Sequence, residues 1–211
     1  LVWRLKKEGS GSGALGDIGA HKLDLARFLV GEINELVATM ETFIKKRPIG
    51  EMTKGLSAKG DQSKMGDVTV DDAVSVLARF ENGAMGIIEA SRFANGNRNK
   101  NKFEINGSKG SVRWDMENMN NLEVYLADDE EGIQGFRHIN VTDEIHPYIK
   151  NYWPPGHIIG YEHTFINLLD EFLNGIANDY QPSPNFNDGL QNQKLLDAIE
   201  RSSKEKKWVQ V

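Results

Sequence analysis

Hydrophobic residues recur at helical spacing near both ends of the chain. Close to the start, apolar positions three or four residues apart predict a helix over residues 14–30, and Gly31 can supply its left-handed end. Near the other end, one amphipathic stripe runs over residues 165–176, and a second helix begins near Asp188, which can cap it. A long middle section with a different pattern separates these helices.

The middle section consists of short runs of β-forming residues separated by turn residues. Asn82-Gly83 marks a tight hairpin turn, and a second pair of strands surrounds residues 107–110. Links of hairpin length imply antiparallel pairing, because parallel neighbours need a crossover of about a dozen residues. The pattern predicts an α+β fold, with an open, mostly antiparallel sheet and helices packed on one of its faces. The predicted strands cover residues 36–44, 74–80, 84–92, 103–105, 112–114, 122–126, 136–141 and 208–211.

One stretch, residues 47–67, contains Pro, Gly, Ser, Lys and Asp without periodicity, which predicts a long mobile loop. The chain has 211 residues, enough to bury a sizeable core. We therefore expect residues 1–211 to form a single domain that contains this loop.

Composition narrows the classes of function. A formal net charge of −6 argues against a general binder of nucleic acid or of anionic membranes. No apolar run approaches the roughly 20 residues that a membrane-spanning helix needs. The absence of cysteine excludes disulfides and thiolate metal ligands and fits a reducing compartment. We therefore expect a cytoplasmic protein that binds neither nucleic acid nor membrane.

A glycine-rich stretch lies just before the first predicted helix. Gly11-Ser12-Gly13-Ala14-Leu15-Gly16 matches the G-x-G-x-x-G spacing of a dinucleotide-binding loop. Polar residues 6–10 nevertheless separate it from the apolar start of the chain, and Asp17 places an anion where a pyrophosphate would bind. The segments that follow also alternate as hairpins and not as βα units. We expect these glycines to lead into a helix, and a nucleotide-binding domain is the alternative.

Asp17 and His21 lie one turn apart on the predicted helix. At about 100° per residue they share a face with Asp24. The apolar arc is separate from this face, so one side of the helix can enter the core while Asp17 and His21 project into a cleft. A carboxylate beside an imidazole can orient the ring and raise its proton affinity, which suits acid–base catalysis. The expected core positions are Leu15, Ile18, Leu25 and Leu29.

Two other interpretations of this pair remain open. Asp17 can simply interact with the helix N-terminus, with His21 as an incidental residue. Alternatively, Asp-x-x-x-His can supply two ligands of a metal site. No paired-histidine zinc spacing such as His-Glu-x-x-His is present, so we expect no metal. The further histidines that a metal site could use are His138, His146, His157 and His163.

Residues 13–26, with the sequence GALGDIGAHKLDLA, resemble the Asp-x-x-x-His segment of the glucose–fructose oxidoreductase/inositol dehydrogenase (Gfo/Idh/MocA) family. Residues 103–112 are similar to the sheet hairpin of that family. Residues 184–189, 196–202 and 208–211 are similar to its C-terminal signature. The resemblance runs through nearly the whole chain, in the same order.

This resemblance implies both a fold and an activity. Members of the family are NAD(P)-dependent oxidoreductases of sugars, cyclitols and related polyols. They combine an N-terminal Rossmann domain with a C-terminal α+β domain like that of glyceraldehyde-3-phosphate dehydrogenase. The chain resembles the second domain alone, so the Rossmann glycines and the catalytic lysine of a Glu-Lys-Pro motif would lie upstream. The resemblance implies that NAD or NADP is held mainly by the missing domain, and that this fragment alone is inactive.

The resemblance also assigns roles to individual residues. His21 would be the general acid/base on the reacting hydroxyl, and Asp17 would hold substrate hydroxyls and help place the proton. In oxidation, His21 would take the hydroxyl proton while hydride leaves the same carbon for the nicotinamide. His163 is a further candidate for contact with substrate, or else a structural histidine. Arg92 and Arg98 flank a polar loop and are expected to be solvated.

The expected partners are a small sugar or polyol and further copies of the chain. An apolar open sheet face needs a cover, so the face that carries Met85 and Ile87 is the expected interface of a homodimer or homotetramer. A non-catalytic sugar-binding or regulatory module of the same fold is the alternative to an enzyme, because the fold does not settle the function.

Overall fold

The computed structural model describes residues 1–50 and 61–211, which form two compact units. The first unit contains residues 1–94 and 184–211, apart from the undescribed stretch, and the second contains residues 95–183. A single domain over residues 1–211 therefore stays a prediction.

Within the described residues, helices and strands follow one another as the α+β pattern predicts. The α-helices are α1 (Lys7–Ser10), α2 (Ala20–Val30), α3 (Tyr161–Asn178) and α4 (Phe186–Glu205). The strands are β1 (Ile33–Glu41), β2 (Lys46–Ile49), β3 (Asp61–Asp67), β4 (Ala73–Phe80), β5 (Met85–Ser91), β6 (Lys102–Gly107), β7 (Gly110–Asp115), β8 (Asn121–Leu126), β9 (Arg137–Asn140) and β10 (Val209–Gln210). Short 3₁₀ turns occupy Trp3–Leu5, Met116–Asn118 and Ile149–Asn151, and a π-helical turn occupies Leu15–Gly19.

The main sheet of the first unit has the strand order β10-β1-β4-β5, and every neighbouring pair is antiparallel. Side chains of β4 alternate between the core and solvent, as the period of two requires. Helices α2 and α4 pack on the buried face, so the predicted arrangement of helices on one side of a sheet is confirmed for this unit. The buried residues that form this core include Leu15, Leu23, Leu36, Val74, Val76, Ala78, Phe80, Leu195, Ala198 and Ile199.

An inserted residue shifts the buried face of the first long helix. The sequence predicts one α-helix over residues 14–30, but the turn Leu15–Gly19 is π-helical, and the Ala20 N–H donates to the Leu15 carbonyl five residues back. A π turn adds one residue to the helical repeat, so core positions after it move along by one. The residues that pack toward the core are therefore Leu23, Ala26 and Val30, in place of Leu25 and Leu29.

The predicted loop over residues 47–67 is partly a hairpin. Strands β2 and β3 pair antiparallel, with Lys46 opposite Asp67 and Arg47 opposite Gly66. The loop assignment was therefore wrong for the residues of these two strands. The side chains of residues 46–49 and 63–67 are exposed or half-buried, so these residues lack the alternation that marks a strand with one buried face. Residues 51–60 lie outside the described residues, and the mobility of the segment stays a prediction.

The second unit contains the antiparallel meander β6-β7-β8-β9, as the hairpin spacing predicts. Phe103 stacks on Trp114 across the first hairpin, with ring centroids 5.9 Å apart. Helix α3 differs from α4, because its apolar stripe stays at least half exposed within the described part of the chain. The exposed residues of this stripe are Phe165, Leu169, Phe172, Leu173 and Ile176.

A buried arginine joins α2 to α4 in the first unit. Arg27 is 8% exposed and donates two hydrogen bonds to Glu32, from Nε at 2.9 Å and from Nη2 at 2.7 Å. Its Nη1 donates to the Asp188 carbonyl at 3.1 Å, in the first turn of α4. Two parallel bonds to one carboxylate fix both geometry and charge. This contact holds the end of α2, and hence the helix that carries His21, against α4.

The pair of Arg27 and Glu32 is expected to make the stability of the protein depend on pH. The hydrogen bond from Arg27 lowers the pKa of Glu32 below its ordinary value of 4.5, in spite of partial burial. The unfolded chain then binds more protons in acid, so this stabilisation is complete above about pH 5 and is lost as pH falls through the lowered pKa. Thermal unfolding of Glu32→Gln and wild type should differ more at pH 7 than at pH 4. The control is Glu81→Gln, at an exposed turn residue. An equal difference at both pH values would contradict the expectation.

Candidate active site

The turn that leads to His21 is anchored by Asp71. The Gly13 N–H donates to Asp71 Oδ1 at 2.6 Å, and the Leu15 N–H donates to Oδ2 at 2.7 Å. The Ala14 N–H donates to the Asp71 carbonyl at 3.0 Å. A carboxylate at this place satisfies the free N–H groups of a helix start and complements its dipole. Asp71 is 5% exposed, so a buried internal anion begins the helix.

Gly13 is required by the same contact. A Cβ at this position would lie 1.9 Å from the Asp71 carbonyl oxygen, far inside any tolerated distance. The glycine at position 13 thus has a structural cause in the first unit, namely the close approach of two backbone segments.

This arrangement does not fit a dinucleotide. A pyrophosphate needs free N–H groups at the helix start, and those of Gly13 and Leu15 are already bound by Asp71. The sequence suggested that Asp17 is the anion that competes with a pyrophosphate for the helix start, whereas in the structure that anion is Asp71.

Asp17 forms ion pairs with two arginines. Arg4 Nη1 lies 3.3 Å from Asp17 Oδ1, and Arg92 Nη2 lies 3.0 Å from Asp17 Oδ2. The Arg92 side chain is 14% exposed, so the expectation that Arg92 is solvated was wrong. Arg92 directly follows the end of β5, and its backbone N–H donates to the Asp72 carbonyl at 2.9 Å. The strand end therefore directs the side chain toward Asp17 and away from solvent.

His21 is exposed in the first turn of α2. Its ring forms no hydrogen bond with any residue that the structure describes, Asp17 included. The sequence suggested that Asp17 orients the ring. In the structure it does not, because both oxygens of the Asp17 carboxylate face arginines. Asn192 of α4 donates to the Ala20 carbonyl at 3.1 Å and so fixes the backbone beside the ring. Phe28, two turns further along α2, is 81% exposed, so this side of the helix is open.

His163 lies in the second unit and has local partners there. Its Nδ1 accepts a hydrogen bond from the Gly160 N–H at 3.0 Å, at the start of α3. The Tyr152 ring stands edge-on to the imidazole, with centroids 4.6 Å apart. This geometry assigns the proton of the neutral ring to Nε2. It supports the structural interpretation of His163, and contact with substrate stays a prediction.

Sequence reasoning did not assign Asp71 to the site, and it predicted Arg92 to be solvated and not paired with Asp17. Asp71 is 58 residues from Gly13 in the chain, and Arg92 is 75 residues from Asp17. One signal in the sequence was the pair Asp71-Asp72, two acidic residues directly before a core strand. Acidic residues that are buried there need hydrogen-bond donors from elsewhere in the chain. Asp72 is 1% exposed and accepts hydrogen bonds from the Phe43 and Ile44 N–H groups at 2.8 and 3.1 Å.

The described residues provide neither a metal cluster nor a membrane helix. Over residues 1–50 and 61–211, no three His, Asp or Glu side chains are grouped so as to hold a metal ion. Among the helices of the same residues, none combines the length and the apolar character needed to cross a bilayer.

Comparison with known proteins places the chain among oxidoreductases. A family model described as "Oxidoreductase family, C-terminal alpha/beta domain" matches residues 1–211. The levoglucosan dehydrogenase of Pseudarthrobacter phenanthrenivorans is 41% identical over 215 residues, which cover 100% of this chain and 55% of that protein. The chain thus spans about half the length of this curated relative.

Solved structures agree in fold. An oxidoreductase domain protein from Kribbella flavida has 47% identity and a TM-score of 0.92, covering 100% of this chain and 54% of its own. A levoglucosan dehydrogenase in complex with NADH and levoglucosan has 40% identity and a TM-score of 0.89, covering 100% of this chain and 53% of its own. The antiparallel α+β fold expected from the sequence is confirmed. The chain belongs to the Gfo/Idh/MocA oxidoreductase family, whose C-terminal domain it matches from residue 1 to residue 211.

Proposed function

We propose that this chain is the substrate domain of an NAD(P)-dependent dehydrogenase acting on a hydroxyl group of a sugar, cyclitol or polyol. The observation that carries the proposal is an exposed imidazole, His21, one turn after a carboxylate that two arginines hold. Its close relative that is named levoglucosan dehydrogenase supports a sugar as substrate.

In the proposed reaction, His21 acts as the general base of oxidation. Its unprotonated ring nitrogen takes the hydroxyl proton, and the C–H electron pair leaves the same carbon as hydride for the nicotinamide. His21 returns the proton in the reverse direction. An imidazole suits this task because it exchanges protons near neutral pH. His21 has no hydrogen-bond partner in the described chain, so its ring nitrogens are available to a substrate.

Asp17 would hold a second substrate hydroxyl. Its carboxylate accepts hydrogen bonds, and its side chain is 39% exposed, so a ligand can reach it. His21 would contact the reacting hydroxyl and Asp17 a neighbouring hydroxyl of the same substrate, and two such contacts fix the orientation of a polyol. Orientation of this kind supplies a large part of the rate in reactions of bound substrates.

NAD or NADP would be bound by residues outside this chain. The N–H groups of the glycine-rich loop are occupied by Asp71, and the chain spans about half the length of its curated relative. The catalytic lysine implied by the family resemblance would also lie in that other half. We therefore propose that the 211-residue chain alone is inactive.

The proposed assembly is a homodimer or homotetramer through the outer face of the main sheet. Met85 is 73% exposed and Ile87 is 80% exposed on the edge strand β5. Leu77, directly opposite Ile87 on β4, is 36% exposed on the same face. An apolar face of this kind favours burial against a partner. The proposed compartment is the cytoplasm.

A turnover assay tests the proposed function. The full-length protein that contains this chain is mixed with levoglucosan, hexoses or inositols and with NAD⁺ or NADP⁺, and the absorbance of the reduced nicotinamide is followed. We expect reduction with at least one sugar or cyclitol, and none with residues 1–211 alone. Sugar binding without reduction of either cofactor would instead indicate a non-catalytic binding module. Tight NAD(P) binding by residues 1–211 alone would show that the glycine-rich loop does bind a nucleotide.

A further inference from the structure

The guanidinium of Arg92 is charged and incompletely hydrogen-bonded, and the Arg92 side chain is only 14% exposed. Its Nη2 donates to Asp17 Oδ2 at 3.0 Å. Its Nε and Nη1 are buried and have no hydrogen-bond partner among the residues that the structure describes. Asp17 is likewise its sole ion-pair partner in that part of the chain. One carboxylate oxygen therefore compensates the whole charge of the group.

Such an arrangement is costly for stability alone. Arginine cannot lose its proton in a protein, so burial cannot neutralise it. A buried donor without a partner loses its hydrogen bonds to water and gains none in return. Departures of this kind from full bonding concentrate at functional sites. Arg92 is thus better explained by what it does to Asp17 than by its own contribution to folding.

Arg4 holds the other oxygen of Asp17 in a different way. Its side chain is 41% exposed, its Nη1 lies 3.3 Å from Oδ1, and its guanidinium also lies over the Trp3 ring, 5.2 Å from the centroid. Exposed ion pairs of this geometry contribute little free energy and exchange readily with water or ligand. One oxygen of Asp17 is therefore held firmly, and the other is held loosely.

We propose that Arg92 is a positioning residue, which fixes Asp17 Oδ2 so that Oδ1 can pass from Arg4 to a hydroxyl of the substrate. This inference rests on the proposed dehydrogenase function and adds to it the device that orients Asp17. With Oδ2 fixed, the carboxylate cannot rotate away from the substrate beside His21. A positioned group of this kind is effective because small misplacements lower the rate steeply, on the order of 10²-fold for 1 Å.

The test is a double-mutant cycle on kcat/KM of the full-length protein. Arg92→Gln removes the positive charge that faces Asp17 Oδ2 and shortens the side chain that donates to it. It is expected to lower kcat/KM about 10²-fold, with a rise in KM. Arg92→Lys keeps the charge and should recover part of the loss. In an Asp17→Asn background, Arg92→Gln should have almost no further effect, because it acts through Asp17.

Two further variants sharpen the test. Arg4→Gln removes the competitor for Oδ1 and is expected to lower KM by up to about fivefold, the range of an exposed ion pair. Arg98→Gln, at an exposed arginine, is the matched control and should leave both constants unchanged. Circular dichroism and active-site titration establish that each variant is folded.

The outcomes separate this inference from the proposed function. A wild-type protein that oxidises no sugar overturns the proposed function and this inference together. An active wild type with an unchanged Arg92→Gln variant overturns the inference alone. The inference alone is also overturned if the effects of Asp17→Asn and Arg92→Gln on kcat/KM multiply, because Arg92 then acts independently of Asp17. It is overturned as well if Arg92→Gln lowers the folded fraction without raising KM, because Arg92 is then a structural residue.

Discussion

Replacement of His21 by Ala is expected to lower kcat of the full-length protein by about 10²–10⁴-fold. The hydroxyl proton would then have to leave to water, which is a poor base placed without orientation. The loss corresponds to about 3–5.5 kcal/mol in the barrier. Because His21 forms no hydrogen bond within the described chain, its removal should leave the stability of the fold almost unchanged. Steady-state rates at saturating sugar and cofactor measure the effect.

The matched control for His21 is His138→Ala. His138 lies on β9 with its side chain 67% exposed, so its loss should change neither kcat nor the unfolding temperature. An equal kcat for His21→Ala and wild type would remove His21 from the proposed mechanism. The acid/base group would then have to be sought outside this chain.

Gly13→Ala is expected to destabilise the protein by more than about 4 kcal/mol, the range reached when backbone geometry is disrupted. The new Cβ would lie 1.9 Å from the Asp71 carbonyl oxygen and 2.9 Å from its carbon. Both atoms belong to the backbone, so no side-chain rotation can relieve the contact. The segments must separate, and separation also breaks the hydrogen bonds from Gly13 and Leu15 to the Asp71 carboxylate. Denaturant unfolding, or the yield of folded protein, measures the loss.

Gly19→Ala is the control for Gly13→Ala. A Cβ at Gly19 would meet Leu15 Cδ1 at 3.4 Å and Ala90 Cβ at 3.8 Å, which are ordinary contacts. Gly19 has helical backbone angles, so the change should be neutral or stabilising by about 0.5–1 kcal/mol. Equal stability of the two variants would show that the approach of Gly13 to Asp71 is not required.

Much of the fold was predictable because its elements bury one face. Strand β4 alternates strictly between core and solvent, and Asn82-Gly83 marks its turn into β5. Strands β2 and β3 lack this signal, since none of their side chains over residues 46–49 and 63–67 is buried. Their pairing depends on backbone hydrogen bonds, which leave no trace in the order of apolar residues.

The face of a helix was less predictable than its existence. The segment from Leu15 to Val30 is helical as expected, but a π turn at its start moves the core positions by one residue. Hydrophobic spacing assumes a constant repeat, so an inserted residue goes unnoticed. The apolar stripe of α3 was also predictable, whereas its exposure in the described chain was not.

The sequence by itself determined the α+β pattern, the helix that carries Asp17 and His21, and the resemblance to sugar dehydrogenases. These features depend on residues that are near one another in the chain. The tertiary structure decided the surroundings of the pair. Asp71 binds the turn before it, 56 residues from Leu15, and Arg92 binds Asp17 from 75 residues away. Burial and ion pairing between distant residues are set by how strands and helices pack, and no local pattern encodes them. For this reason Asp17 faces two arginines and not the imidazole of His21.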